Sequence, residues 1–508
     1  MRIFRIIISG AFLALFMVGL ILPGENGNVI LKKISLVQFF PALQQYSSTG
    51  KILIPLILIA LITVIFGRVY CSSVCPLGTV QDIFIRRKRK FKFRESNKLI
   101  RWAVPMATLL LGAIGIRFLI ILLEPFALAG RLGHNLIEPA ASEFWHLVLV
   151  VCSYFDIFLR PLPMALEISA MLLALLQLVG LAALVFARGR FYCNSLCPVG
   201  AILSILAKFS FFGIKIDRSK CISCGQCGTA CKAECLDLKN FTVDPARCVV
   251  CFSCTSKCPT NAISYGFLKG QAVVPKPASE TQLTIPADPM TRRDFIIMTT
   301  AAVCAVPVLG ATDKLIKADE NKAIAPPGAG SVARFNAACT GCQLCVNACP
   351  ERVLRPSLLQ YGISGIQQPV MKFSVGYCAF ECNKCGQICP NGAIMPLPLE
   401  KKQQISIGLA NINENTCVSF AENKACGACA EVCPVSAVYM ADSPKGAGHV
   451  SVPRMRPESC LGCGACENAC PVPAIIVKGR STHTKIIEQP HSVDSSRNNS
   501  TSADGFAF

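Results

Sequence analysis

Cys221, Cys224, Cys227 and Cys231 follow a C-x2-C-x2-C-x3-C pattern, and Cys248, Cys251, Cys254 and Cys258 repeat it and end in Pro259. Three closely spaced thiolates wrap one face of an iron–sulfur cubane, and the fourth thiolate reaches across to a second cluster. The pattern predicts one cluster on Cys221, Cys224, Cys227 and Cys258, and another on Cys248, Cys251, Cys254 and Cys231. Lys232 stands where a proline usually follows, and Cys235 comes soon after. Cys231 or Cys235 could therefore be the fourth ligand, with spacing favouring Cys231. Structural zinc uses C-x2-C pairs set far apart, which is not the pattern here.

Four further groups follow downstream: Cys339, Cys342, Cys345, Cys349; Cys378, Cys382, Cys385, Cys389; Cys417, Cys426, Cys429, Cys433; and Cys460, Cys463, Cys466, Cys470. Each closes with C-x3-C-P. The first and last match the ferredoxin run without variation, and the middle two have a stretched first gap, as an inserted loop would give. Two groups upstream and four downstream predict about six [4Fe–4S] clusters with these cysteines as iron ligands. A chain of clusters moves electrons one at a time. The pairing of ligands within the downstream groups stays open.

A different cysteine pattern lies upstream. GRVYCSSVCPLG (Gly67 to Gly78) recurs as GRFYCNSLCPVG (Gly189 to Gly200), each copy directly after a long apolar run. Gly, Arg, Tyr, Cys, Ser, Cys, Pro and Gly keep the same places in both. Cys71, Cys75, Cys193 and Cys197 could pack a bundle end, form reversible disulfides, or ligate a metal or cluster at a repeat interface. Cys152 and Cys304 lie in apolar runs and read as small buried hydrophobes. No C-x-x-C-H occurs, which argues against covalent haem.

These residues need elements to hold them. Apolar segments at about 6–23, 51–67, 100–123 and 164–187 are long enough, or nearly so, to cross the roughly 30 Å hydrocarbon core as helices. A shorter segment at 144–159 carries Asp156 with Glu143, His146 and Arg160 at its ends, and it reads as a re-entrant or interfacial helix. The expected fold class is a membrane α-helical bundle of four spans, with α+β ferredoxin-like iron–sulfur domains. Its expected parts are a transmembrane domain (1–212), a two-cluster ferredoxin domain (213–266), a linker with a twin-arginine segment (267–332), a four-cluster ferredoxin domain (333–478) and a disordered tail (479–508). Arg292 and Arg293 precede a moderately apolar run at 295–311. That run could carry the second ferredoxin across the membrane, or form a short buried helix between two cytoplasmic modules.

Composition agrees with a chain partly in lipid: of its 508 residues, 52% are hydrophobic and 16% charged. The formal charge of +20 could suggest nucleic acid, but nine Lys or Arg residues crowd between Arg86 and Arg101, as in a cytoplasmic loop. No nucleic acid is expected as a partner; membrane lipid is. Ionisable groups beside spans tend to be functional, so Glu124, His134, Glu138, Glu143 and His146 are candidates for taking protons from a quinol. Arg117 and Glu167 could instead neutralise one another.

The apolar spans, the two C-x3-C-P motifs and the adjoining ferredoxin together resemble NapH, a membrane subunit of periplasmic nitrate-reductase systems. Residues from about 290 to 478, a twin-arginine leader and four cluster motifs, resemble the NapG/MauM ferredoxin-type proteins. The chain looks like both joined together, although such a leader is normally N-terminal. The resemblance implies an inner-membrane protein that oxidises quinol and passes electrons to a periplasmic reductase or cytochrome c partner, with the first ferredoxin cytoplasmic and the second periplasmic. An alternative is an assembly factor for a respiratory metalloenzyme.

Overall fold

The computed structural model describes residues 1–22, 24–49, 54–85, 91, 93, 98–113, 116–155, 167–268, 323–443 and 449–486. Most of the basic loop after Arg86, the twin-arginine pair, the run at 295–311 with Cys304, and the last residues of the tail lie outside these.

The bundle is built from α1 (Arg2–Ile21), α2 (Glu25–Leu36), α3 (Phe39–Thr49), α4 (Ile54–Phe66), α5 (Tyr70–Ser73), α6 (Pro76–Ile85), α7 (Lys98–Ala113), α8 (Phe118–Leu123), α9 (Pro125–Leu132), α10 (Glu138–Ser153), α11 (Ile168–Arg188) and α12 (Pro198–Ala207). Among the described residues, three helices are long and apolar enough to cross a membrane: Arg2–Ile21, the continuous Pro125–Ser153, and Ile168–Arg188. The expected span at 51–67 is a helix of 13 residues. The one at 100–123 falls into α7 and α8, with Pro105 inside α7.

The segment expected to be a short interfacial helix is the end of a 29-residue helix. Phe144, Leu147 and Val150 stand exposed along it. Both its flanks touch the same soluble module. Glu138 at the start of α10 bonds Arg352, and Glu167, just before α11, bonds Lys372.

The first soluble module holds two small antiparallel sheets. In one, β1 (Phe212–Ile216) pairs with β4 (Ile263–Phe267); in the other, β2 (Leu236–Asp237) pairs with β3 (Thr242–Val243). The second module pairs β5 (Leu354–Pro356) with β6 (Pro369–Met371), β7 (Ile405–Ile412) with β10 (Ile475–Lys485), and β8 (Val438–Ala441) with β9 (Val452–Met455). Order extends past the limits expected for it: Ala323, Ile324 and Ala325 are buried, and β10 runs through Gly479 to Lys485.

α1 ties the three parts together. At its start the Arg2 guanidinium donates to Ser256 Oγ of the first module at 2.9 Å. Near its end the Leu20 carbonyl accepts from Asn347 Nδ2 of the second, also at 2.9 Å. α11 makes the same journey in reverse, from the Glu167–Lys372 pair to Arg190, whose backbone N–H bonds the Lys232 carbonyl at 2.9 Å. Helices of this length rise about 30 Å, which is the thickness of a hydrocarbon core.

Candidate metal centres

The first module gathers Cys221, Cys224, Cys227 and Cys258 around one cavity of about 180 Å³. Gly225 and Ser223 adopt positive φ in the intervening turn, which lets the short loop curl round a central group. Cys231 lies within electrostatic reach of Cys251 and Cys254, so it crosses over to the second set. Cys235 sits 3.6 Å from Cys231, sulfur to sulfur, and its hydrogen bond draws the Cys231 thiol down to about 7.

The second module repeats the crossover twice. Cys339, Cys342 and Cys345 share their surroundings with Cys389, while Cys349 lines a cavity with Cys378, Cys382 and Cys385. Cys417, Cys426 and Cys429 line another with Cys470, and Cys463 and Cys466 lie near both Cys460 and Cys433. Burial pushes Cys342, Cys378 and Cys466 up to about 12. These thiols are thus neutral in the metal-free chain, and iron would displace their protons on binding. Among the described residues no group of three or more His, Cys, Asp or Glu closes on a single metal ion.

The two upstream motifs meet inside the bundle. Arg68 Nη2 donates to the Cys193 carbonyl at 2.8 Å, and Arg190 Nη1 donates to the Cys71 carbonyl at 2.8 Å. Gly67 and Gly189 have φ of 77° and 58°, turning each chain sharply after its apolar helix. Gly78 and Gly200 press against the Cys71 and Cys193 carbonyls; a Cβ would come within 2.2 and 2.1 Å of those oxygens. Cys197 caps α12 by accepting from Gly200 N–H at 3.3 Å, and Pro76 and Pro198 start their helices, where no N–H is needed. All four thiols are free and buried.

Asp82, on α6, joins this region to the first module. It accepts from Arg5 at 3.0 Å, Arg190 at 2.7 Å and Lys232 at 3.1 Å. Burial alone would raise its carboxyl, but Arg190, Lys232 and Arg5 outweigh that and hold it well below the usual carboxylate range. Sequence reasoning passed over Asp82. The available signal was a lone acid just before the basic run that begins at Arg86.

Several of the residues expected to take protons from quinol have defined partners. Glu124 is 1% exposed and caps α9, accepting from the backbone N–H of Phe126 and Ala127. The Glu-Pro step at the helix start was the signal for this. His134 bonds Glu138 one turn on, and Glu138 pairs with Arg352 at 2.8 Å. Glu138 lines a cavity of about 200 Å³ with Cys349 and Asn347; Glu124 and His134 do not. Glu167 pairs with Lys372 at 3.0 Å and faces Arg355 at 4.0 Å, not Arg117.

The sequence matches known families over these regions. A 4Fe-4S binding domain matches residues 50–94 and again 170–219. One 4Fe-4S dicluster domain matches 377–437 and 424–474, and another matches 338–394. The ferredoxin-type protein NapH of Haemophilus influenzae is 26% identical over 34% of this chain and 51% of its own length. The ferredoxin-type protein NapG of Escherichia coli is 29% identical over 28% of the chain and 63% of its own. The putative electron transport protein YccM of Escherichia coli is 26% identical over 35% and 44%. The chain thus spans about half to two thirds of the length of these relatives. The chain is similar to both the NapH and the NapG ferredoxin-type proteins, and it carries 4Fe-4S domain matches in its upstream and downstream parts.

Proposed function

We propose that this protein carries electrons from quinol through its [4Fe–4S] clusters across a membrane, from the first ferredoxin module to the second, and on to a periplasmic reductase or cytochrome c. The observation that supports this best is the pair of helices, α1 and α11, each held by the first module at one end and the second module at the other. About six clusters on the 24 ferredoxin-spaced cysteines would supply one-electron steps within each module.

A cavity of about 830 Å³ between α1, α6 and the first module supports quinol entry at that end. Apolar Ile6, Leu13, Ile83 and Phe91 line it together with charged Arg2, Arg5, Asp82, Lys232 and Lys257. Its apolar side chains could hold a quinol ring while its charged groups meet the quinol oxygens. Membranes containing the full chain should reduce its clusters with a quinol analogue. Ile83→Trp should slow that step while dithionite reduction stays unchanged. Equal quinol rates in the variant would contradict this entry point, and no quinol reduction in the wild type would contradict quinol as the donor.

A further inference from the structure

The cavity between α1, α6 and the first module changes character along its length, because one face of α1 lines it. Arg2, Ile6, Ser9, Gly10 and Leu13 all border it, and steps of three or four residues keep them on one side of a helix. From Arg2 to Leu13 the helix rises about 16 Å, and the lining passes from cationic to hydrocarbon. Across from it α6 contributes Ile83, which is 53% exposed. Gly10 adds no side chain, and a Cβ there would meet nothing within 4 Å, so this stretch is open. α1 is also one of the three described helices long and apolar enough to cross a membrane. A crossing helix has its first residues at the membrane edge.

Charge in this cavity is unbalanced. Arg2, Arg5, Lys232 and Lys257 line it with a single carboxylate, Asp82. That carboxylate is already shared among Arg5, Arg190 and Lys232. Arg2 and Lys257 have no carboxylate partner among the described residues. The Arg2 guanidinium is held instead by Ser256 Oγ at 2.9 Å, and Ser256 belongs to the short turn Thr255–Lys257. Its hydroxyl donates to the carbonyl of Ser253, another lining residue, at 3.1 Å. Arg2 and Lys257 therefore stand together at the outer end of the cavity, one from α1 and one from the first module. Like charges brought together repel unless an anion joins them.

We propose that Arg2 and Lys257 bind the phosphate of an anionic phospholipid, whose acyl chains run along α1 past Gly10 towards Leu13 and Ile83. The order of groups along the cavity is that of the ligand, with charge at one end and hydrocarbon at the other. A guanidinium can meet two phosphate oxygens at once, and basic pockets between helices at a membrane surface suit lipid headgroups. A free phosphate ion would answer the charge but leave the open apolar stretch unfilled. The bound phosphate would bridge α1 and the first module, adding to the Arg2–Ser256 bond that joins them. This site does not depend on quinol being the electron donor. Asp82, Arg5 and Lys232 keep one another as partners and are not needed for the lipid.

The test uses the full chain in mild detergent, titrated with phosphatidylglycerol, phosphatidylcholine or inorganic phosphate and read by native mass spectrometry. Wild type should retain phosphatidylglycerol in preference to phosphatidylcholine. Arg2→Gln/Lys257→Gln should weaken phosphatidylglycerol binding about 30-fold, from two charges at about 1 kcal/mol each, with iron content equal to wild type as the sign that the first module is still folded. Gly10→Phe fills the open stretch without touching a charge, and it should release the lipid as well. Equal retention of the two lipids by wild type would overturn the site, as would undiminished phosphatidylglycerol binding in the double variant. Should the double variant lose iron, Gly10→Phe decides, and unchanged lipid retention there overturns the site. Inorganic phosphate bound as well as the lipid, and equally in Gly10→Phe, would make the ligand a free ion and overturn the lipid.

Discussion

Arg68 reaches from one copy of the repeat to the Cys193 carbonyl of the other at 2.8 Å, and Arg190 returns the same bond to Cys71. This reciprocity explains why the motif keeps its arginine: each guanidinium holds the opposite half in register. Arg68→Met should lower stability by about 2–4 kcal/mol, because it leaves buried carbonyls unpaired. Arg68→Lys should not restore it, since an ammonium cannot span the several acceptors that the guanidinium fork meets. Thermal inactivation of the purified protein measures both.

The glycines of the motif make a sharper comparison. Gly78→Ala and Gly200→Ala each drive a Cβ into a cysteine carbonyl, and should cost about 1–3 kcal/mol by overpacking. Gly10→Ala and Gly180→Ala meet nothing within 4 Å and should be silent or slightly stabilising in their helices. Equal effects at the two sets would contradict the packing described.

Asp82 is predicted to be the fulcrum of the first module's seat. Asp82→Asn leaves Arg5, Arg190 and Lys232 without their shared counter-charge, a loss of about 3 kcal/mol or more. Because the folded-state value is lowered, this contribution is present above the ordinary carboxylate range and fades only as pH falls through the depressed value. Wild-type stability should therefore show no Asp82-linked step between neutral pH and mild acid, in a pH series of melting temperatures.

At the other end, Glu138 joins Arg352 and Asn347. Glu138→Lys should loosen the second module, read as faster proteolysis between the bundle and residue 323. Adding Arg352→Glu should recover part of the loss, as expected for a direct pair.

Ligand chemistry was the most legible part of the sequence, because iron–sulfur binding demands fixed short spacings of a single residue type. The crossover of Cys349 to Cys378, Cys382 and Cys385 was beyond reach for the opposite reason: stretched gaps leave more than one partner open. The upstream motifs were visible as a repeat, yet their convergence depends on arginines that reach across more than a hundred residues of chain. Glu124 shows what the sequence pattern leaves out. It is an ionisable group at a span end, as expected, but its oxygens are committed to the α9 backbone, and an apolar-pattern reading does not see caps. The 144–159 segment is expected to be re-entrant or interfacial because counting it as a span would put the two C-x3-C-P motifs on opposite sides of a membrane; upstream of it, Arg131, Asn135 and Glu138 bond the second module.

The central claim is that electrons pass from one ferredoxin module to the other through the bundle. Sealed proteoliposomes with uniformly oriented protein test it directly, with a membrane-impermeant reductant outside and an oxidised impermeant acceptor trapped inside. The account predicts reduction of the trapped acceptor by the outer reductant. Reduction of the outer module with no reduction inside, in intact wild-type protein, would contradict it.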